Sequence, residues 1–214
     1  MGQAIGLIAQ ATGLTVVLTV VSGVIGVVVG APLVVLAQSR NPLLRLLYTT
    51  FVHIVRGVPA LVWLFIIFYG MAELQVIVPA MPAAIIALGV IATANMAEIY
   101  RGGLNAIQFG QYEAGWALSL GRLSIAKDVI YPQLLRAVSP TVATYFVGLL
   151  KDSALASIIG VGEITYVTGQ QVELHGNGLV LYLFAGVLYL AMSIPLGVLS
   201  RTIHTRMTRR YAVV

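Results

Sequence analysis

Asn95, Glu98 and Arg101 stand at i, i+3 and i+6 near the end of a long apolar stretch. On a helix those spacings share roughly one face. A carboxylate and a guanidinium on such a face can pair with each other or hold a charged group of opposite sign. Arg56 lies inside a second apolar stretch, just before Gly57-Val58-Pro59, and Lys151-Asp152-Ser153 interrupts a third. Neighbouring Lys and Asp do not face each other on a helix, so each needs its own partner or water. What these charges mean depends on the solvent around the stretches that carry them.

Composition identifies that solvent. Of 214 residues, 59% are hydrophobic and 9% charged, against roughly 25% charged in soluble domains. A soluble core cannot hide that much apolar side chain, so lipid must surround most of the chain. Charges inside a membrane are costly and usually mark function. Two plainer readings stay open: a Glu98–Arg101 ion pair at the membrane interface, and Arg56 snorkelling to the surface. Zero cysteines exclude disulfides, Cys-based zinc sites and iron–sulfur clusters. No G-x-x-x-x-G-K-S/T sequence occurs to cradle nucleotide phosphates. We assign no catalytic residue, metal site or cofactor to this chain. The net charge of +5 does not point to nucleic acid, because the basic residues sit at the ends of apolar runs.

A helix needs about 20 apolar residues to cross a bilayer. Five stretches qualify, at about residues 14–37, 46–72, 81–102, 137–161 and 179–200. The expected fold is therefore an all-α integral membrane protein forming one domain over residues 1–214. The first stretch carries Gly26 and Gly30, a G-x-x-x-G spacing that admits close approach of another helix. General small-residue packing and dimerisation are both open there. Residues 1–13 read as an amphipathic lead-in, and without a basic n-region no cleaved signal peptide is expected. Pro59 should distort the second span. The charges at 151–153 make the fourth span a broken one, or one lining a wet space. Gly162 to Gly178 reads as a polar loop.

The Arg40/Arg45 turn, the Arg101–Arg136 segment and the Arg201–Arg210 tail carry nearly all the Lys and Arg. The loops near Glu73 and near Glu163–Glu173 carry none. Five spans put those groups on opposite sides, as the positive-inside rule requires. The N-terminus is then outside and the C-terminus cytosolic.

One segment, Glu113 to Pro132, is polar and basic yet looks helical. Gln111 to Leu120 holds good helix formers, with Ala114, Ala117, Leu118 and Leu120 as apolar positions. Gly121 is a plausible helix stop, and Ser124 can cap a second piece running into Val129 and Ile130. The product is a short helix outside the membrane, either docked on a soluble partner or lying on lipid.

Glu113-Ala114-Gly115 followed by Val129-Ile130-Tyr131-Pro132 resembles the E-A-A loop of permease subunits of bacterial ATP-binding-cassette importers. A-E-I-Y-R-G-G-L-N-A-I (Ala97 to Ile107), G-Q-Y-E-A (Gly110 to Ala114), R-G-V-P (Arg56 to Pro59), Y-P-Q (Tyr131 to Gln133) and L-K-D-S-A-L-A-S-I-I-G-V-G-E (Leu150 to Glu163) are similar to the amino-acid-uptake branch. The likeness covers about residues 50–165 in register. Three positions depart from the pattern. Gly115 stands where a second Ala is usual, Ser119 where the loop glycine falls, and Tyr131 where a Leu usually precedes the proline.

The resemblance implies a type I importer permease fold in a bacterial inner membrane, with five spans and a cytosolic coupling helix within about residues 111–132. That helix, with Glu113, Ala114, Gly115, Ala117, Leu118 and Gly121, would sit in a cleft of a cytosolic ATPase subunit. ATP and Mg would be bound by two such ATPases. A second permease, identical or homologous, and an extracytoplasmic solute-binding protein would complete the importer, the latter meeting the Gly162–Gly178 loop. An amino acid crossing lipid needs polar groups near the midplane, and the candidates are Arg56, Asn95, Glu98, Arg101, Lys151, Asp152 and Ser153. Arg or Lys would pair its carboxylate, and Glu98 or Asp152 its ammonium. The same residues would also serve merely to hold span ends together. Two other functions remain, a stand-alone channel or ion-coupled carrier and a membrane scaffold. A carrier usually shows internal repeats, and none is found.

Overall fold

A computed structural model describes residues 2–209. Among them the chain is helical, with short connections and no strand. Helix α1 covers Gly2–Ala37, α2 Pro42–Gly57 and α3 Ala60–Glu73. Helix α4 covers Ala80–Asn105, α5 Gly110–Ala117 and α6 Arg122–Ile159. Helix α7 covers Ile164–His175 and α8 Gly178–Arg209. Arg210, the end of the basic tail, lies outside the described residues. Four helices, α1, α4, α6 and the Gly178–Val198 part of α8, are long and apolar enough to cross a membrane. The pair α2–α3 passes the same test jointly but is bent by 101°.

Helix α4 is the centre of the bundle. Its inner face is small: Ala83, Ala84, Ala87, Ala92 and Ala97 are all fully buried. That smoothness lets α1 come into backbone contact. A Cβ on Gly26 would lie 2.5 Å from the Ala92 Cβ, and one on Gly30 would lie 2.8 Å from the Met96 Cβ. The Gly26/Gly30 spacing thus serves a contact inside the chain, where dispersion at close approach replaces the hydrophobic effect that lipid cannot supply. The outward faces are apolar: Val28 on α1, Leu183 and Val187 on α8 are all exposed. A surface of this kind is stable only against lipid or another protein.

The α2–α3 bend has a local cause. Asn41 caps α2, its side chain accepting from the Leu43 N–H at 2.9 Å, with Pro42 in the first turn. The helix ends at Gly57, because Pro59 has no N–H to continue the ladder. Pro59 instead sits as the N-cap of α3. Helix α6 also departs from a plain span. It carries a π-helical turn at Ile125–Ile130, and beyond Asp152 it tightens into a 3-10 segment, Ser153–Ile159. Gly160, at φ +89, ends it.

Two expectations are corrected. Residues 2–13 are part of α1 rather than a separate lead-in, and Ala4, Ile8 and Ala11 are buried against Ile164, Leu181 and Ala185. The helix has 36 residues, or about 54 Å at 1.5 Å each, well beyond the roughly 30 Å hydrocarbon core. The second correction concerns Gly162–Gly178, expected as a polar loop. Most of it is helix α7, wedged between the start of α1 and α8. Some of its polar residues point inward, while Gln170, Glu173 and His175 are exposed. Glu163 and Thr168 are fully buried, and the Ile164 N–H donates to Thr15 Oγ1 at 3.3 Å.

Candidate functional site

Two places gather the residues with chemistry. The first lies where the end of α2 meets the last turns of α4. Glu98 projects there with a side chain 21% exposed. Arg101, one turn on, donates through Nε to Oε1 at 2.8 Å and through Nη2 to Oε2 at 2.9 Å. The Tyr48 hydroxyl donates to Oε1 at 2.7 Å, and Arg56 Nη1 stands 3.4 Å from Oε2. The carboxylate is thus held by two guanidiniums and a phenol, and its lone pairs are engaged. Such bidentate, charge-assisted contacts fix geometry as well as charge. The cluster joins α2, just before its break, to α4.

Glu98 forms part of the wall between two cavities. One, of about 300 Å³, is lined by Arg45, Tyr48, Thr49, His53 and Arg101 as well. The other, of about 480 Å³, is lined by Arg56, Asn95, Gly102, Gly103 and Thr141 as well. Arg56, Asn95 and Glu98 therefore share one cavity wall, and Arg101 stands behind Glu98. Asn95 donates back to the Ile91 carbonyl at 2.9 Å. Tyr145 of α6 lies close to the Asn95 side chain and in the field of Asp152. Lys151 and Asp152 are exposed on α6, one position apart, and do not pair with each other. Ser153 is buried and donates to the Leu150 carbonyl at 2.7 Å, where the α-helix gives way to the 3-10 segment.

Tyr48 and Tyr145 escaped the sequence reading. A phenol inside an apolar stretch needs an acceptor when buried, and that rule would have flagged both.

The second place is α5. Its exposed side carries Glu113, Ala114, Ala117 and Leu118, the last 74% exposed. Phe109, Tyr112 and Trp116 form an aromatic cluster with ring centroids 5.8 to 6.4 Å apart. Gly115 faces inward, where a Cβ would lie 2.7 Å from Ile125 Cγ1. The Gln133 amide donates to Gln111 Oε1 at 2.9 Å and ties α5 to α6. Exposed apolar and aromatic side chains on a short, well-anchored helix mark a surface that meets protein or lipid.

The helix end differs from the expectation. Ser119, not Gly121, is the residue in left-handed conformation, at φ +58. The Leu120 N–H donates to the Gly115 carbonyl at 3.0 Å and the Ser119 N–H to the Trp116 carbonyl at 2.9 Å. That is the Schellman pattern. Gly121, at φ −65, opens the next turn. Ser124 lies inside that helical run and caps nothing.

Helices packed on small residues, with apolar faces outward, make a membrane-embedded bundle. Comparison with known proteins agrees. The family described as binding-protein-dependent transport system inner membrane component matches residues 22–212. This chain belongs to that family, and is a multi-pass inner-membrane permease subunit. It is 30% identical to the L-cystine transport system permease protein of Bacillus subtilis, covering 92% of this chain and 85% of that one. A crystal structure of an amino acid ABC transporter with histidines superposes with TM-score 0.89 at 27% identity, covering 94% of both chains. Inward-facing structures of a methionine ABC transporter share the fold, with TM-score 0.76 at 22% identity.

Proposed function

We propose that this subunit forms the path of an ATP-driven amino-acid importer, with its N-terminus outside and C-terminus in the cytosol. Helix α5 docks on a cytosolic ATP-binding-cassette subunit, which binds the ATP and Mg. A second permease completes the path, and an extracytoplasmic binding protein delivers the amino acid. The observation that carries this reading is the exposed α5 surface, with Glu113, Ala117 and Leu118 on a helix anchored to α6. Amino-acid cargo is supported by the cystine and amino-acid transporters among its relatives. The orientation is supported by the Arg and Lys asymmetry of its loops.

Motion of α5 passes directly into α6, the helix that carries Tyr145 and Asp152. On α4, Glu98 is engaged by its own arginines, so it orients Arg56 and Arg101 along the path. Arg56 faces the 480 Å³ cavity and offers the carboxylate partner. Asp152, with Tyr145 and Asn95, offers the ammonium partner. Charge-assisted contacts of both signs select a zwitterion.

A chain without cysteine permits a clean test. A single cysteine at Leu118 should cross-link to the ATPase subunit in the assembled transporter, and one at Leu183, on the outer face of α8, should not. Equal cross-linking at both, or none at Leu118, would remove the docking role.

A further inference from the structure

We propose that the cleft between α5 and the α1–α2 turn is a binding site for the headgroup of an anionic phospholipid. The cleft has a volume of about 530 Å³, within the usual range for a ligand site of roughly 300–1,000 Å³. Arg40 comes to it from the turn after α1, and Arg122 from the first turn of α6. Tyr112 and Trp116 come from α5. No Asp or Glu lines it. Among the described residues neither guanidinium has an ion-pair partner, whereas Arg56 and Arg101 both answer Glu98. The contrast with the Glu98 cluster is direct. There a carboxylate of the chain answers the arginines, and here nothing does.

The rest of the lining says which anion. Leu104, Ile125 and Ile130 give the cleft an apolar wall, and Tyr112 and Trp116 line the same space. A free phosphate would use the arginines and leave that wall wet. A glycerophospholipid uses both. Its phosphate accepts from the planar guanidinium forks, and its glycerol and upper acyl chain lie along Leu104 and Ile125. The aromatic rings take the headgroup level, where Trp and Tyr are enriched in membrane proteins. The position fits, since the cleft lies beside the ends of α1 at Ala37 and α4 at Asn105, at the same end of the bundle as the Arg40/Arg45 turn. A bound lipid would brace α5 against the α1–α2 turn. This needs only that the chain spans a membrane with α5 just outside it, and stands or falls apart from the cargo.

The experiment uses the whole transporter, purified with its partner subunits and placed in nanodiscs of phosphatidylcholine with or without phosphatidylglycerol. Native mass spectrometry counts phosphatidylglycerol retained per permease chain, and ATP hydrolysis is read in parallel. A cation near an anionic lipid surface contributes enough that Arg40→Gln or Arg122→Gln should each weaken retention roughly fivefold, and the pair about twenty-five-fold. Lys127→Gln, on the same helix as Arg122 but outside the cleft, is the control and should retain lipid like the parent. Equal retention by the parent and the double variant would overturn the proposal. So would inorganic phosphate, added without ATP, displacing phosphatidylglycerol from the parent as completely as the double substitution does, which would make the cleft a free-anion site. Loss of the ATPase subunit from the double variant, with lipid retention unchanged, would make it a protein contact and overturn it as well.

Discussion

Removing the charge of Glu98 tests whether the α2–α4 junction is held by this cluster. Glu98→Gln keeps the volume and leaves an acceptor for Tyr48, so the change is mainly electrostatic. The carboxylate is 21% exposed and its arginines 42% and 46% exposed. Breaking a buried pair costs about 3–5 kcal/mol, and an exposed one about 0–1. The half-screened geometry here puts Glu98→Gln at about 2 kcal/mol. The two arginines differ. Arg101 makes contacts at 2.8 and 2.9 Å, whereas Arg56 makes one at 3.4 Å. A double-mutant cycle of Glu98→Gln with Arg101→Gln should therefore give a coupling of about 1–2 kcal/mol. The cycle with Arg56→Gln should give about half a kcal/mol or less. The assay is unfolding of the purified subunit in mixed micelles, titrated with denaturing detergent. Additivity of Glu98 and Arg101 would refute the reasoning, and so would a stronger coupling for Arg56.

Ser119→Gly should stabilise α5 by about 0.5–1 kcal/mol, because Ser119 sits at φ +58 where glycine carries no Cβ strain. Gly121→Ala, at φ −65, should not destabilise through its backbone; amide hydrogen exchange across residues 110–124 reads both. Gly115→Ala should cost about 1–3 kcal/mol, since the new methyl meets Ile125 at 2.7 Å. Ile125→Ala in the same chain should recover part of that loss in thermal unfolding, and no recovery would contradict the contact. Burial pushes the Glu163 carboxyl above the usual carboxylate range, opposed by hydrogen bonds from Tyr189 and the Tyr166 N–H. A raised folded pKa contributes stability below the unfolded value that is lost as pH rises through the folded one. The parent should therefore lose stability over that window, and Glu163→Gln should flatten it in pH-dependent melting.

The parts of the fold that were legible depend on local chemistry. Apolar length marked four helices long enough to cross a membrane, Pro59 marked the bend, and Lys151-Asp152-Ser153 marked the change from α-helix to 3-10. Gly26 and Gly30 announced a close contact, though not its partner, because only the fold brings Ala92 and Met96 opposite them. What stayed hidden depends on distant residues. Helix α7 looked like a polar loop because Glu163, Glu173 and His175 are polar, yet Glu163 is held by Tyr189 and the Ile164 N–H by Thr15, both on other helices. Ser119 was passed over because glycine is the usual left-handed residue and Gly121 stood close by. At the candidate site, the Asn95–Glu98–Arg101 face was readable from helical spacing. Tyr48 and Arg56 joined it only when α2 folded against α4. The departure at Gly115 has a simple reason, since Ile125 occupies the space a methyl would need.

The most direct measurement is amino-acid uptake into proteoliposomes holding this subunit with the partner permease, ATPase and binding protein proposed for it. Uptake should require ATP inside the cytosolic compartment, and Glu113→Lys should abolish it while the Glu98 cluster and thermal stability of the bundle stay as in the parent. Uptake that persists without any ATPase subunit, or that Glu113→Lys leaves unchanged, would contradict the coupling of α5 to an ATP-driven partner.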